Sequence, residues 1–164
     1  MNLYIKQKIF SFRDKYDIYD SEQNPIYNAY GEIFSLGNKL HLCNSNNEEL
    51  VFIKQKIMVF LPTFELYVNN ELFATLKQKF TFFKKNIEIE STLGNFTISG
   101  DIWDHEYSIT CNGQLFGTVS KKWLSWGDVY ALNINTDEHS EFFVALVLAI
   151  DCILEAENSA AMNN

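Results

Sequence analysis

Five ten-residue segments of this chain can be laid one on another: IFSFRDKYDI from Ile9, IFSLGNKLHL from Ile33, IMVFLPTFEL from Ile57, FTFFKKNIEI from Phe80 and WLSWGDVYAL from Trp123. A weaker sixth copy, GDIWDHEYSI, begins at Gly100. Each has an apolar residue, two variable positions, an aromatic or Leu, a short turn-like stretch, and then apolar residues two apart. The starts at 9, 33, 57, 80, 100 and 123 lie 20 to 24 residues apart. A period of that size, held over most of a chain, marks a repeated supersecondary unit.

The chemistry of the unit says what it is. Before each turn runs a period-two alternation, as in Leu3, Ile5, Gln7 and Ile9 against Tyr4, Lys6, Lys8 and Phe10. After it comes a second alternating run, such as Tyr16 and Ile18. The middles carry turn formers: Arg13-Asp14, Gly37-Asn38, Pro62, Lys85-Asn86, Asp104-His105 and Gly127-Asp128. Between units lie Asn24-Pro25, Asn44 to Asn47, Asn69-Asn70, Gly94-Asn95 and Asn112-Gly113. Asn-Gly suits a tight hairpin, whose two central residues need positive φ. Each unit reads as a β-hairpin, so six units predict twelve strands.

A meander of twelve half-buried strands has one face to hide and two edges to protect, and closing it into a barrel solves both. Side chains alone fill a barrel of about eight strands, so a wider one needs something along its axis. Ser140 to Glu155, reading SEFFVALVLAIDCILE, supplies it. From Phe142 to Ile150 every residue is apolar. A helix apolar all round is buried, in a protein core or a membrane. Phe142 to Leu154 spans only roughly 20 Å as a helix, against a bilayer core of about 30 Å. Asp151 also lies inside it, so a core helix is expected and a transmembrane span is not. Thr136 or Asp137 reads as its N-cap, with Glu138 and Glu141 near the positive helix end. The expected class is mainly β: a closed twelve-stranded antiparallel barrel of six hairpins enclosing one C-terminal hydrophobic helix. It forms a single domain over residues 1–157, with 158–164 as a frayed tail.

Composition narrows the function. The chain's 164 residues hold 47% hydrophobic and 15% aromatic side chains, which excludes a disordered or low-complexity protein. A net charge of -8, from 13 Lys plus Arg and 21 Asp plus Glu, speaks against nucleic acid as a partner. Cys43, Cys111 and Cys152 are odd in number and show no CxxC spacing, so they read as reduced, buried thiols rather than a disulfide framework or zinc site. The opening MNLYIKQKIF carries charges where a signal peptide would be apolar, so the expected compartment is the cytoplasm.

The YIKQK opening, the KFTFFK segment from Lys79 to Lys84, GDIWDHEY from Gly100, SKKWLSWGDVY from Ser120 and the LAID of the last helix resemble the LURP-one-related family. That family belongs to the tubby C-terminal-like superfamily, which includes the phospholipid scramblases. The resemblance covers nearly the whole chain and implies the same barrel around a helix. Tubby-like domains bind phosphoinositides through basic residues on the barrel. No catalytic motif of the family carries over onto positions here.

Two constellations remain as candidate sites. Lys6, Lys8, Lys54, Lys56, Lys77, Lys79, Lys121 and Lys122 all lie in the strand just before a repeat's turn. Three copies read K-Q-K, which puts both lysines on one face and Gln7, Gln55 or Gln78 on the other. Flanking apolar residues share the glutamine face, so the lysines point outward and the glutamines inward near one mouth of the barrel. Lys54, Lys56, Lys77 and Lys79, separated by one strand, are the expected ligand-binding set for an anionic phospholipid headgroup such as a phosphoinositide. The plainer reading of the same lysines is solubility and blocked edge pairing, and the acidic net charge favours it. Inward glutamines need partners, in one another, the helix end, Asp151 or a small ligand.

The second constellation is Asp101, Asp104 and His105, with Glu106 beside them. Carboxylates near an imidazole suit acid-base work, although as a hairpin turn they would simply be solvated. Neither a HExxH nor a GxSxG motif is present, and the matched Ser35 and Ser125 read as turn residues. No metal, cofactor or catalytic residue is therefore assigned. The leading expectation is a non-catalytic binding or scaffold protein. A small-molecule sensor or enzyme with a pocket at a barrel mouth is the alternative, and a scramblase-like membrane protein the third.

Overall fold

The computed structural model describes residues 1–8, 15–80, 85–124 and 127–162. Alternating apolar residues shape its strands: β1 (Asn2–Gln7), β2 (Lys15–Asp20), β3 (Pro25–Gly31), β4 (Lys39–Asn44), β5 (Glu49–Gln55), β6 (Thr63–Val68), β7 (Glu71–Phe80), β8 (Lys85–Ser91), β9 (Gly94–Asp101), β10 (Glu106–Cys111), β11 (Gln114–Leu124) and β12 (Gly127–Ile134). Helix α1 (Ser140–Met162) follows. Every strand pairs antiparallel with its neighbours in sequence, and β1 pairs with β12 to close the barrel. Leu3 faces Leu132 and Ile5 faces Tyr130 across that seam. The six hairpins of the sequence repeat are β1–β2 through β11–β12, and the strand ends that each hairpin joins all lie at one end of the barrel, here called the turn end. Lys85-Asn86 and Gly127-Asp128, expected within turns, instead open β8 and β12. Arg13, Asp14, Ser125 and the Thr81–Lys84 part of KFTFFK lie outside the described residues.

The period-two pattern becomes an inside and an outside. Leu3, Ile5, Ile18, Leu40, Leu42, Ile53, Leu66, Leu76 and Ile98 are all 0–1% exposed. Into this space runs α1, with Val144 to Ile150 sealed on every side. A helix with its side chains is about 10–12 Å across, the width a twelve-stranded wall leaves along its axis. Phe142 and Phe143 plug the entry end, where Phe142 meets Phe73 and Phe96 at ring distances of 5.5 Å and Phe96 stands edge-on to Phe116 at 5.4 Å. Cys43, Cys111 and Cys152 are buried and form no disulfide.

The helix begins later and ends later than its sequence suggests. The Thr136 hydroxyl accepts a hydrogen bond from the Glu138 N–H at 3.1 Å, capping a turn that precedes the helix. His139 then takes a left-handed φ of 58° and turns the chain into the barrel, and its carbonyl accepts the Phe142 N–H at 3.0 Å. Ser140 is hydrogen-bonded to the Tyr27 hydroxyl at 2.7 Å, fixing the first turn to β3. At the other end the helical backbone continues to Met162, because Glu155, Ala156, Ala160 and Ala161 favour helix and neither Gly nor Pro interrupts them.

Asp151, the one charged residue in the apolar stretch, does not point out of the mouth. It is 4% exposed and accepts hydrogen bonds from the Tyr16 hydroxyl at 2.8 Å and from His105 Nε2 at 3.0 Å. Farther along, Gln7 Nε2 donates to Glu155 and Gln78 Nε2 to Glu157, each at 2.7 Å. Gln55 serves a loop instead, accepting the Asn38 N–H at 2.9 Å. Two of the three inward glutamines thus hold the helix end, whose position is set by hydrogen bonds as well as by packing.

Replacing Leu146 or Ala149 with Asp places an unpaired carboxylate where no water reaches, at a cost that rivals a domain's whole stability of roughly 5–15 kcal/mol. Both variants, and a chain truncated before Glu141, are expected in the insoluble fraction; a soluble, cooperatively melting truncated barrel contradicts the central-helix account. Asp151→Ala strips two buried donors of their acceptor and is expected to lower stability by about 2–5 kcal/mol in denaturant titration. Tyr107 differs: its buried hydroxyl has no hydrogen-bond partner among the described residues, so Tyr107→Phe is expected to be neutral or stabilising. Burial first, then the Asp151 charge, push the Tyr16 and Tyr107 phenols well above their ordinary 10.0. Their contribution is therefore complete below pH 10 and is lost as pH rises through the folded-state values, since the unfolded chain releases these protons first. Melting temperature should fall above pH 10, and less steeply in Tyr107→Phe.

Candidate functional site

The outer wall at β5–β8 bears the expected lysines. Lys54, Lys56, Lys77 and Lys79 are all exposed, one strand apart as the meander requires, while Gln78 between the last two is 2% exposed and points inward. Strand alternation is the cause, since Ile53, Leu76 and Gln78 take the inner face and the lysines are left the outer one. The loop between β5 and β6 projects from the wall and makes one side of a groove of about 580 Å³. Lys56, Lys77 and Lys79 line it, with Val59, Phe60 and Leu61 forming an apolar lip. Lys54 lies outside the groove, opposite Lys39 on β4 and Glu65 on β6.

Carboxylates accompany these amines. Lys56 Nζ lies 3.3 Å from Glu65, and Lys79 forms an ion pair with Glu88. Partial burial pushes the Glu65 carboxyl up, but the Tyr67 hydroxyl with Lys56 and Lys54 outweighs this and holds it below the usual carboxylate range. Glu88 and Glu90 also line the groove, opposite Lys77 and Thr75 on the neighbouring strand. The sequence reading missed both. Their signal was the run Ile87-Glu88-Ile89-Glu90, whose alternation turns two carboxylates outward beside the lysines of β7.

The second constellation is divided by the structure. Asp101 and Asp104 are exposed, and the Asp101 carboxylate accepts the Asp104 N–H at 3.2 Å in a closed turn. The His105 backbone belongs to the same turn, its N–H donating to the Ile102 carbonyl at 3.2 Å, but its side chain does not share the solvent. A left-handed φ of 54° directs its side chain inward, where it is 8% exposed, stacked on Tyr130 at 4.1 Å and bonded to Asp151. Asp101, Asp104 and His105 therefore form no common site, and the imidazole is sealed from an approaching substrate by the ring over it. Among the described residues no group of three His, Cys, Asp and Glu side chains is placed to hold a metal, and no helix is long and apolar enough to cross a membrane.

An outer feature without a sequence motif is a ladder of rings. Tyr30, His41, Phe52 and Tyr67 stand side by side on β3 to β6 at centroid distances of 5.0, 4.9 and 6.2 Å. Glu32 and Glu49 flank His41, with Nε2 3.1 Å from Glu32. The rings and carboxylates occupy each other, which reads as cross-strand stabilisation of the wall.

Comparison with known proteins agrees with this architecture. A solved structure of the Arabidopsis thaliana protein AT5G01750 is similar in fold, with a TM-score of 0.64 over 96% of this chain and 91% of that one, at 14% identity. The uncharacterized protein YxjI of Bacillus subtilis (strain 168) is 36% identical over 154 residues, covering 94% of each chain. The family model described as LURP-one-related matches residues 1–151. A match over nearly the full barrel, together with that relative, means that the chain belongs to the LURP-one-related family.

Proposed function

We propose that this protein is a non-catalytic binding protein of the cytoplasm that holds a phosphate-bearing lipid headgroup in the groove beside β7. The observation that carries this reading is the gathering of Lys56, Lys77 and Lys79 from two non-adjacent parts of the wall beneath an apolar lip. Three amines around one concavity suit a phosphorylated headgroup contacted from more than one side. Each contributes on the order of 1 kcal/mol near an anionic surface, less as salt rises. Glu88 and Glu90 temper that attraction, as does the net charge of -8, so a shaped site is favoured over generic attraction to anionic membranes. Binding is preferred to turnover because the buried His105–Asp151 pair is engaged in holding the helix. Three buried thiols that form no disulfide fit a reducing compartment.

The test is a variant with Lys54, Lys56, Lys77 and Lys79 all changed to Gln. The wild type should bind phosphoinositide vesicles more strongly than phosphatidylcholine vesicles at low salt, a preference that fades as salt is raised, and the variant should show no such preference. Its melting temperature should change by only a few degrees, because the exposed Lys56–Glu65 and Lys79–Glu88 pairs are each worth roughly 0–1 kcal/mol. Equal binding by both proteins, or none by the wild type, would show that the lysines serve solubility.

A further inference from the structure

Two neighbouring loops at the turn end carry apolar side chains that no described residue covers. Phe34 is 102% exposed, Met58 101%, Phe60 99% and Leu36 79%, with Ile33 and Ile57 beside them. The loops are those of the β3–β4 and β5–β6 hairpins, and they touch: a Cβ added at Gly37 would lie 3.0 Å from Ile57 Cγ2. Surface residues this bare are ordinarily polar, and a contiguous exposed apolar patch marks a contact surface. Phe34 and Met58 also take left-handed φ values of 64° and 60°, a conformation that favours Gly or Asn over bulky side chains. That backbone holds the two side chains out from the wall.

We infer that these loop tips enter the interfacial layer of a lipid bilayer, so that the turn end of the barrel rests on a membrane surface. Two observations favour lipid over a protein partner. Phe34, Met58 and Phe60 are each almost fully exposed and project as knobs from the patch rather than lying flat in it, a shape that fits a fluid medium better than a preformed flat interface. The charge behind them is also graded. Along β7, Lys79 lies nearest the turn end, then Lys77, then Thr75, whereas on β8 Asn86, Glu88 and Glu90 stand opposite them in that order. Lys79 thus sits nearest the knobs, at headgroup depth, and the carboxylates begin one step farther back, where Glu88 stands level with Lys77. Phe60 belongs both to the tips and to the lip of the groove, so a headgroup in the groove lies beside the inserted ring. Glu155 and Glu157 reach the same end, held by Gln7 and Gln78. Their charge confines the contact to the β3–β6 side of the rim.

Apolar insertion explains how a chain of net charge -8 meets a membrane: the knobs supply the attraction, and the lysines select the lipid. The inference rests on the headgroup reading only for which lipid is preferred. Flotation with phosphatidylcholine vesicles, alone and with phosphoinositide added, separates the two. The wild type should float with both and should stay bound to phosphatidylcholine in high salt. Phe34→Asp/Phe60→Asp should lose more than about tenfold in partitioning to both, because each exposed ring buries apolar area only in the bilayer. Its melting temperature should be unchanged, since neither ring packs in the fold. The four-lysine variant should still float with phosphatidylcholine and lose only the preference for phosphoinositide. A Cys at position 34 carrying an environment-sensitive dye should shift to the blue on vesicles. Two results would overturn the inference: a wild type that floats with no vesicle, or one that self-associates in sedimentation through Phe34 and Phe60 while ignoring lipid. Floating that survives Phe34→Asp/Phe60→Asp but ends with the lysine variant would keep the headgroup reading and discard insertion.

Discussion

Val144 to Ile150 is a helical run with no polar side chain, and a wall on every side is the arrangement that hides it from water. That requirement sets the size of the barrel. Eight strands would leave no room for a helix, whereas twelve leave an axis about one helix wide. Wall and helix therefore depend on each other: the strands have a face to hide and no other filling, and the helix has no face fit for solvent. The six hairpins supply the wall by repeating one local solution rather than by any long-range design.

A purely greasy rod in a greasy tube would be free to turn and slide. Directional bonds remove that freedom. Ser140 fastens the entry end to Tyr27, Asp151 joins Tyr16 and His105 to the middle, and Glu155 and Glu157 are gripped by Gln7 and Gln78 at the exit. The polar residues that look out of place in an apolar helix and on inward strand faces are thus the ones that select a single axial position. This role accounts for the K-Q-K strings more fully than charge does, since the lysines are what alternation leaves outside once the glutamine has turned inward.

Strands, closure and central helix were legible because each rests on a pattern within about ten residues or on a composition that has one outlet. Strand alternation also placed Lys54, Lys56, Lys77 and Lys79 on the outside correctly. What escaped was set by the backbone at turns. Asp104 and His105 are adjacent, yet one is solvated and the other buried, because His105 has a left-handed φ and Gly100 lets the two strands approach so closely that a Cβ there would lie 2.5 Å from the Glu106 carbonyl oxygen. The apolar segments IFSL and IMVF mark the repeats, whereas their exposed tips at Phe34 and Met58 follow from turn geometry that hydrophobicity does not encode. Glu88 and Glu90 escaped because their relation to the lysines lies across strands.

The seam between β1 and β12 has a consequence for how the chain comes to be folded. Its closing contacts join residues at opposite ends of the sequence, as in the bond from the Met1 ammonium to the Ile134 carbonyl, 133 residues apart at 2.7 Å. Local hairpins can form as soon as they are made, but the sheet keeps two raw edges and an uncovered apolar lining until β12 and the helix exist. The last strand and the helix that follows it are therefore the elements the earlier strands wait for. A nascent chain of this kind spends most of its synthesis as an open, adhesive sheet, and its final assembly is a single late, high-contact-order step.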